Sequence, residues 1–366
     1  MGQTVIQSFG SGNKLAQKKW SSALTVEYAK KSYFSKKFVG ETSNSIIQRK
    51  RELESDAGDE VSFDLAIELK GDVVTGDNNL EGNEEDMKFY TDQIRIDQMR
   101  KSVSIGGRMT RKRVAHNLRN NGKELLSRYW SQFHDEMHFI YLSGARGINK
   151  GFRQPLDWAG HAGNPIQPPD DTHILFGGSA VSKTTLTAND KMSKSLIERA
   201  ETYATMLKEV DPSQVSMMPV TIEGEPHYVC IMSPLQEHDL RTADATGWME
   251  IQKAAAGAEG RNNPIFKGGL GMIKDVVLHK HVNVIRFSDY GAASNVQAAR
   301  ALFLGCQAGV VAYGGQNGGL SWQEEVRDFG NKPIIASGTI MGIKKTRFNG
   351  RDFGVLALDT AAAPVS

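Results

Sequence analysis

Apolar and polar residues alternate from Val61 to Leu69, placing Val61, Phe63, Leu65, Ile67 and Leu69 on one face of an extended strand. A looser alternation through Ile94, Ile96, Val103 and Ile105 predicts a returning strand. The residues between them, 75–86, are too many for a tight hairpin and are rich in acids. The pattern between Gly58 and Gly107 therefore predicts one long two-stranded arm with an acidic tip. Such a ribbon is marginal alone in water. It is expected to rest on another surface, most simply a second copy of the chain, which points to assembly.

The period then becomes helical. From Thr110, the positions Val114, Leu118, Leu125, Tyr129, Phe133, Met137 and Ile140 recur every three to four residues until Gly144 and Gly147. One continuous helix to about Ser143 is predicted, about 50 Å long, with a bend at Asn120-Asn121-Gly122. After a Gly- and Pro-rich excursion over 144–180, Met192, Leu196, Ala200, Tyr203, Leu207 and Val210 predict a second helix. Thr187 and Asp190 form a near capping box ahead of it, and Asp211-Pro212 ends it. Strands are expected at 219–222 and 227–232. Ser233, Pro234 and Gln236 then announce another helix as cap, first helical residue and capping-box partner.

Farther along, 257–274 reads as a glycine-rich loop, 276–287 as strand, 296–309 as a compact helix of small residues, and 314–319 as a flexible loop. Strands over 333–343 and 344–348 lead to the hairpin signal Asn349-Gly350, and 353–358 returns. At the other end, 1–55 has little periodicity. Trp20, Tyr28, Tyr33 and Phe34 are spread among lysine pairs, which suits an extended arm with one short helix near 21–31. The whole reads as an α+β fold.

Composition is that of an ordinary folded protein, 39% hydrophobic over 366 residues, with no run approaching the ~18 apolar residues of a membrane span. No signal-peptide pattern opens the chain, so synthesis in a cytoplasm is expected, without a membrane partner. Two cysteines, Cys230 and Cys306, make no disulfide framework. The net charge of +2 conceals strong segregation. Residues 1–51 hold ten bases and two acids, 52–105 fifteen acids and five bases, and 106–153 ten bases and three acids. Alternating blocks suit neighbours that dock by complementary charge.

Candidate chemistry is thin. His134 and His138 share a helix face, but Asp135 stands where the zincin pattern needs Glu, and no third ligand has a recognisable spacing. Asp77, Asn79, Glu81 and Gly82 match the early places of a calcium loop, but Lys88 occupies the place of its bidentate Glu. Gly268–Lys274 lacks the last glycine and the Ser or Thr of a phosphate loop. His279 and His281 share one face of a strand. No cofactor is expected. Two other readings stay open: a metal-dependent enzyme using His134 and His138, and a nucleic-acid-binding module using the basic arm. Stoichiometric zinc would favour the first, and strictly monomeric particles in negative-stain microscopy would count against assembly.

Several stretches carry a family resemblance. They are Gly58-Asp-Glu-Val-Ser-Phe63, Val74-Thr-Gly-Asp-Asn-Asn-Leu-Glu-Gly-Asn-Glu-Glu85, Ile265-Phe-Lys-Gly-Gly-Leu-Gly-Met272 and Val277-Leu-His-Lys-His281. Arg300-Ala-Leu-Phe-Leu-Gly-Cys-Gln-Ala308, Asp328-Phe-Gly-Asn-Lys332, Gly342-Ile-Lys-Lys-Thr-Arg-Phe348 and Asp352-Phe-Gly-Val355 follow in order. Together the chain resembles the major capsid proteins of tailed bacteriophages, in the coat-protein family typified by the Enquatro-type short-tailed phages (phage N-four).

That resemblance implies the Hong Kong 97-type capsid fold. Residues 1–55 would be the N-terminal arm, 56–107 the E-loop and 108–145 the spine helix of the peripheral domain. Residues 146–218 and 335–366 would complete the peripheral domain, and 219–334 would form the axial domain. The implied function is self-assembly into pentamers and hexamers of an icosahedral shell around double-stranded DNA, without turnover, in the virion. A scaffold protein separate from this chain and a portal protein are implied partners, with room for a decoration protein. Lys70 and Lys88 are available for the cross-links some relatives form, though nothing marks either as reactive. The acidic tip (Asp77, Glu81, Glu84, Glu85, Asp86) is expected to lie on a neighbour's Arg108, Arg111, Lys112, Arg113 and Arg119.

Overall fold

A computed structural model describes residues 32–364, except 56–57, 67–72, 77, 80, 83, 88, 114–116, 211–214, 244–246, 249–263, 268 and 316–319. The helix expected near 21–31 lies outside the described residues, as do Asp77, Lys70 and Lys88.

In chain order, the arm supplies helix α1 (Tyr33–Lys37), strands β1 (Val39–Gly40) and β2 (Ile47–Lys50), and the single turn α2 (Glu52–Ser55). The ribbon strands are β3 (Glu60–Ala66) and β4 (Phe89–Arg95), followed by β5 (Asp97–Ser104). Helices α3 (Arg108–Arg113) and α4 (Leu118–Ser143) come next, then the short strands β6 (Gly160–His161), β7 (Asn164–Pro165) and β8 (Ile174–Phe176). Helix α5 (Lys194–Val210) precedes β9 (Val220–Ile222), β10 (Glu225–Met232) and helix α6 (Pro234–Ala243). Strands β11 (Gly271–Ile273), β12 (Val276–Lys280), β13 (Arg286–Tyr290), β14 (Val296–Leu304), β15 (Gly309–Tyr313) and β16 (Ser321–Arg327) follow. The last are β17 (Lys332–Lys345), β18 (Arg347–Phe348), β19 (Arg351–Asp352) and β20 (Val355–Ala361).

Two sheets organise these elements. One runs β1-β2-β15-β17-β16, with β5 on the opposite edge of the long strand β17. The other runs β11-β12-β10-β14-β20-β8, with β13 against β14 and β9 against β10. The C-terminal half of α4 packs between them: Met137, Phe139, Ile140, Tyr141 and Leu142 join arm residues Phe34, Phe38, Ile46 and Ile47 and sheet residues Val229, Ile231, Leu302 and Ile343 in one core.

Several expectations are corrected. Residues 296–304 form β14, not a helix. Its run of Ala, Leu and Phe is buried along its length and paired on both edges, to β20 on one side and to β10 and β13 on the other. An unbroken apolar run reads alike as buried helix or central strand, and Ala tilts the reading toward helix. The expected strut is two helices, because Asn117 caps a new start by accepting from Asn120 N–H at 3.2 Å. Its 26 residues measure about 39 Å, and Gly122 lies inside the helix instead of marking a bend. The buried stripe is also shifted, since Leu126 and Trp130 are covered while Leu125 is exposed. Finally, the ribbon is β3 with β4 alone. The chain breaks at Ile96, and β5 leaves to pair with β17 from Met341↔Asp97 to Ile334↔Ser104.

Other local signals were realised as read. Ser233 N–H donates to Gln236 Oε1 at 2.9 Å, completing the capping box of α6. Asn349 and Gly350 both take positive φ, as a two-residue hairpin between β18 and β19 requires, but the return stops at Asp352, and the expected returning strand 353–358 instead joins β14 and β8 as part of β20.

The point where ribbon and sheet part is tightly packed. A Cβ on Gly342 would lie 1.9 Å from the Arg95 carbonyl oxygen. Gly342→Ala is therefore expected to lower stability by about 1–3 kcal/mol, seen as a lower urea midpoint at unchanged slope. An unchanged midpoint would show that the ribbon root can yield.

Candidate assembly surfaces

The ribbon is rooted firmly and ends in the open. At its root, Asn164 clamps Arg95 from both sides: Arg95 N–H donates to Asn164 Oδ1 at 3.0 Å, and Asn164 Nδ2 donates to the Arg95 carbonyl at 2.7 Å. Lys344 Nζ pairs with the buried Asp92 carboxylate and donates to the Gln93 carbonyl at 3.0 Å. Val61 and Ile94 are buried with Leu53, Val310 and Ala312. The ribbon's root thus rests on its own chain. Beyond it, Glu81, Glu84, Glu85 and Asp86 are all exposed, and Glu84 accepts from Gly82 N–H at 2.8 Å. Val73 (84% exposed) and Met87 (75%) stand uncovered beside these acids.

The expected basic partners gather on a different surface. Arg108, Arg111, Lys112 and Arg113 occupy α3 and are exposed, and Arg119 begins α4. The turn joining β16 to β17 holds this group in place. Asn331 Oδ1 accepts from Arg108 N–H at 2.9 Å, the Asn331 carbonyl accepts from Arg111 Nη2 at 3.3 Å, and Arg119 pairs with Glu324 at 2.6 Å. Arg108, Arg111 and Arg119 are therefore brought together around one hairpin. The acids stay at the ribbon tip, on a separate element.

The histidines are structural. His134 and His138 are fully buried in α4, and burial pushes them down to about 3 and 4. His138 Nδ1 lies 2.7 Å from the His134 carbonyl, and its ring stacks on Phe34 at 4.9 Å. Burial, with a second contribution from Lys37, pushes His279 and His281 down to about 4. His279 bonds through Nε2 to the Ile265 carbonyl at 2.7 Å and meets Phe38 edge-on. His281 packs on Tyr33 at 4.6 Å and on Phe139 at 4.8 Å. Among the described residues no group of three or more His, Cys, Asp or Glu side chains is placed to hold a metal ion. No helix among them is long and apolar enough to cross a membrane.

Sequence reasoning missed what these histidines surround. The buried carboxylate of Asp135 accepts from Ser32 Oγ at 2.8 Å, Tyr33 N–H at 2.9 Å and Phe34 N–H at 3.2 Å. It thereby caps α1 from another helix and pins the arm to α4. The visible signal was Ser32 ahead of the aromatic pair Tyr33-Phe34, with Asp135 between buried positions of the strut. Asn164, clamping the ribbon root, had no sequence signal beyond its glycine-rich surroundings.

A rooted ribbon, a long helix crossed by an N-terminal arm, and two sheets sharing that helix define the Hong Kong 97-like fold of phage shell subunits, which the solved structures below share. The chain belongs to the phage capsid protein family, whose model matches residues 8–364. It is a phage major capsid protein, a structural subunit that repeats to build the virion shell rather than an enzyme. It is 29% identical over 359 residues to the major capsid protein of Pseudomonas phage KPP25, covering 91% of this chain and 92% of that one. The capsid of Ralstonia phage GP4 is 58% identical over the whole of both chains, with a TM-score of 0.89. The capsid of cyanophage Pam1 shares the fold at a TM-score of 0.70 and 21% identity, over 92% of this chain and 94% of that one.

Proposed function

We propose that copies of this chain form pentamers and hexamers of an icosahedral shell around double-stranded DNA, each ribbon laying its acidic tip on a neighbour's α3 and the start of α4. The observation that carries this contact is the charge segregation, with exposed acids on the tip and exposed bases on α3. DNA contacts in this reading are to phosphates and independent of sequence. A separate scaffold protein and a portal protein act during assembly, and the outer surface leaves room for a decoration protein.

The proposed domains are an arm at 1–55, an E-loop at 56–107, a spine at 108–145, a peripheral domain and an axial domain. Sheet membership supports two boundary changes. Residues 309–334 go with the peripheral sheet, because β15 and β16 pair with β17. Strand β20 goes with the axial sheet, because it pairs with β14.

Exposed ion pairs are worth little singly. Four at about 0.5 kcal/mol each shift one subunit contact by about 2 kcal/mol, roughly thirtyfold in its equilibrium constant. Neutralising Glu81, Glu84, Glu85 and Asp86 together (Glu→Gln, Asp→Asn) is therefore expected to reduce shell yield sharply and flatten its salt dependence, measured by sedimentation and electron microscopy. Undiminished yield with the wild-type salt response would refute the contact.

A further inference from the structure

At the tip of the β16–β17 hairpin, Phe329 is 109% exposed, more open than in a reference peptide. Its presentation is built in. Asp328, Phe329 and Gly330 take positive φ of 57°, 49° and 88° in succession, a conformation non-glycine residues adopt only when the surroundings hold them there. The surroundings do: Asn331 Nδ2 donates to Asp328 Oδ2 at 3.0 Å, and Asn331 also accepts from α3. A strained turn that lifts an aromatic ring fully into water is a costly arrangement for an isolated subunit.

Beside this knob lies a cavity of about 320 Å³, lined by Ile105, Leu118, Val326 and Pro333, with Arg111 and the Arg119–Glu324 pair among its polar walls. Gly330 is on its wall, so knob and socket are neighbours on one surface. A cavity half that size accepts a benzene ring. Of the charges on its wall, Arg119 is paired with Glu324, so Arg111 is the cation that Asp328, next to Phe329 on the knob, would meet.

We propose that Phe329 of one subunit inserts into this socket on a second copy of the same chain. The inference rests on shell assembly and goes beyond the ribbon contact. A knob and its complementary hole on one chain make a contact that each copy both gives and receives, which closes when the copies are arranged by a rotation axis. The knob claims Arg111 from the basic group, while Arg108, Lys112 and Arg113 stay with the ribbon and Arg119, paired with Glu324, borders both contacts. The two contacts use adjacent surfaces and can be made by different neighbours.

The test uses two singly substituted full-length chains, Phe329→Cys and Leu118→Cys, mixed before assembly and oxidised as shells. The native thiols Cys230 and Cys306 are buried, so background is low. The proposal expects a disulfide-linked pair on a non-reducing gel from mixed shells and none from shells of either variant alone. A cross-link in shells of Phe329→Cys alone would show knobs meeting each other and would overturn it, as would mixed shells without a cross-link. Phe329→Ala is the second arm, independent of whether Leu118→Cys folds. Losing the buried ring is expected to weaken the contact roughly fiftyfold, cutting shell yield while the unassembled subunit melts as wild type does. Wild-type yield and shell stability in this variant would reject the knob. Failure of the unmodified chain to form shells would instead remove the assembly reading on which the proposal stands.

Discussion

Replacing Asp359 by asparagine is expected to lower subunit stability by about 3–5 kcal/mol, because it leaves a buried guanidinium without its counter-charge. Arg300 and Asp359 face each other across β14 and β20, with Nε–Oδ1 and Nη2–Oδ2 both at 2.7 Å. Tyr290 Oη donates to Asp359 at 2.5 Å, and Arg300 Nη1 donates to the Ser143 carbonyl at the end of α4 at 2.9 Å. Burial alone would push the guanidinium down, but the adjacent carboxylate outweighs it and holds Arg300 above its ordinary value. The pair thus fastens helix to sheet at the cost of desolvating both ions. Arg300→Met with Asp359→Leu should therefore recover most of the single-variant loss. Urea unfolding of unassembled subunits across the four-variant cycle measures the coupling. If Asp359→Asn shifts the midpoint by less than about 1 kcal/mol, the site is more hydrated than its geometry indicates.

Acid is expected to release the arm and then unfold the subunit. His134, His138, His279 and His281 are held near 3, 4, 4 and 4 when folded, against about 6.5 in an unfolded chain. The folded state binds fewer protons, so their contribution is complete above about pH 6.5 and is lost as pH falls toward 4. Each costs about 1.4 kcal/mol per pH unit in that window, and the four together on the order of 5 kcal/mol by pH 5.5. Asp135 works in the opposite direction. Burial pushes its carboxyl up to about 6, against the donors that pull it back, so its protonation below pH 6 offsets about one imidazole. The balance stays destabilising. Because His138, His279 and His281 touch Phe34, Phe38 and Tyr33, amide protection at 33–38, relative to the intrinsic rate at each pH, should fall before global unfolding. Protection factors unchanged between pH 7 and 5 would contradict this account.

Legibility followed the range of the interaction. The capping box at Ser233, the hairpin at Asn349-Gly350 and the stripe from Met192 to Leu207 are decided within a few residues, and each was readable. The strut was readable as a helix but not in its break, because Asn117 competes with an apolar period that runs past it. Strand β14 was misread because its partners lie in β10, β13 and β20, as far as 75 residues before it and 63 after it in the chain. The same limit applies to the assembly surfaces. Acidic tip and basic helix were visible as charge blocks, whereas the Asp135 clasp joins residues about a hundred positions apart. Phe329 was visible only as part of a matching stretch, since exposure is a property of the folded turn.

The place of β20 in the larger sheet has a consequence for folding. It lies between β14 and β8, so the edge strand β8 is held to the rest of the sheet by residues some 180 positions later in the chain. Until β20 docks, the facing edges of β14 and β8 are unpaired, and Arg300 has no carboxylate opposite it. Long-range pairing of this kind folds slowly and exposes edges meanwhile. A chain in which β20 has not docked therefore exposes two strand edges and a buried-site arginine to aggregation, and the last pairing to form guards the whole sheet.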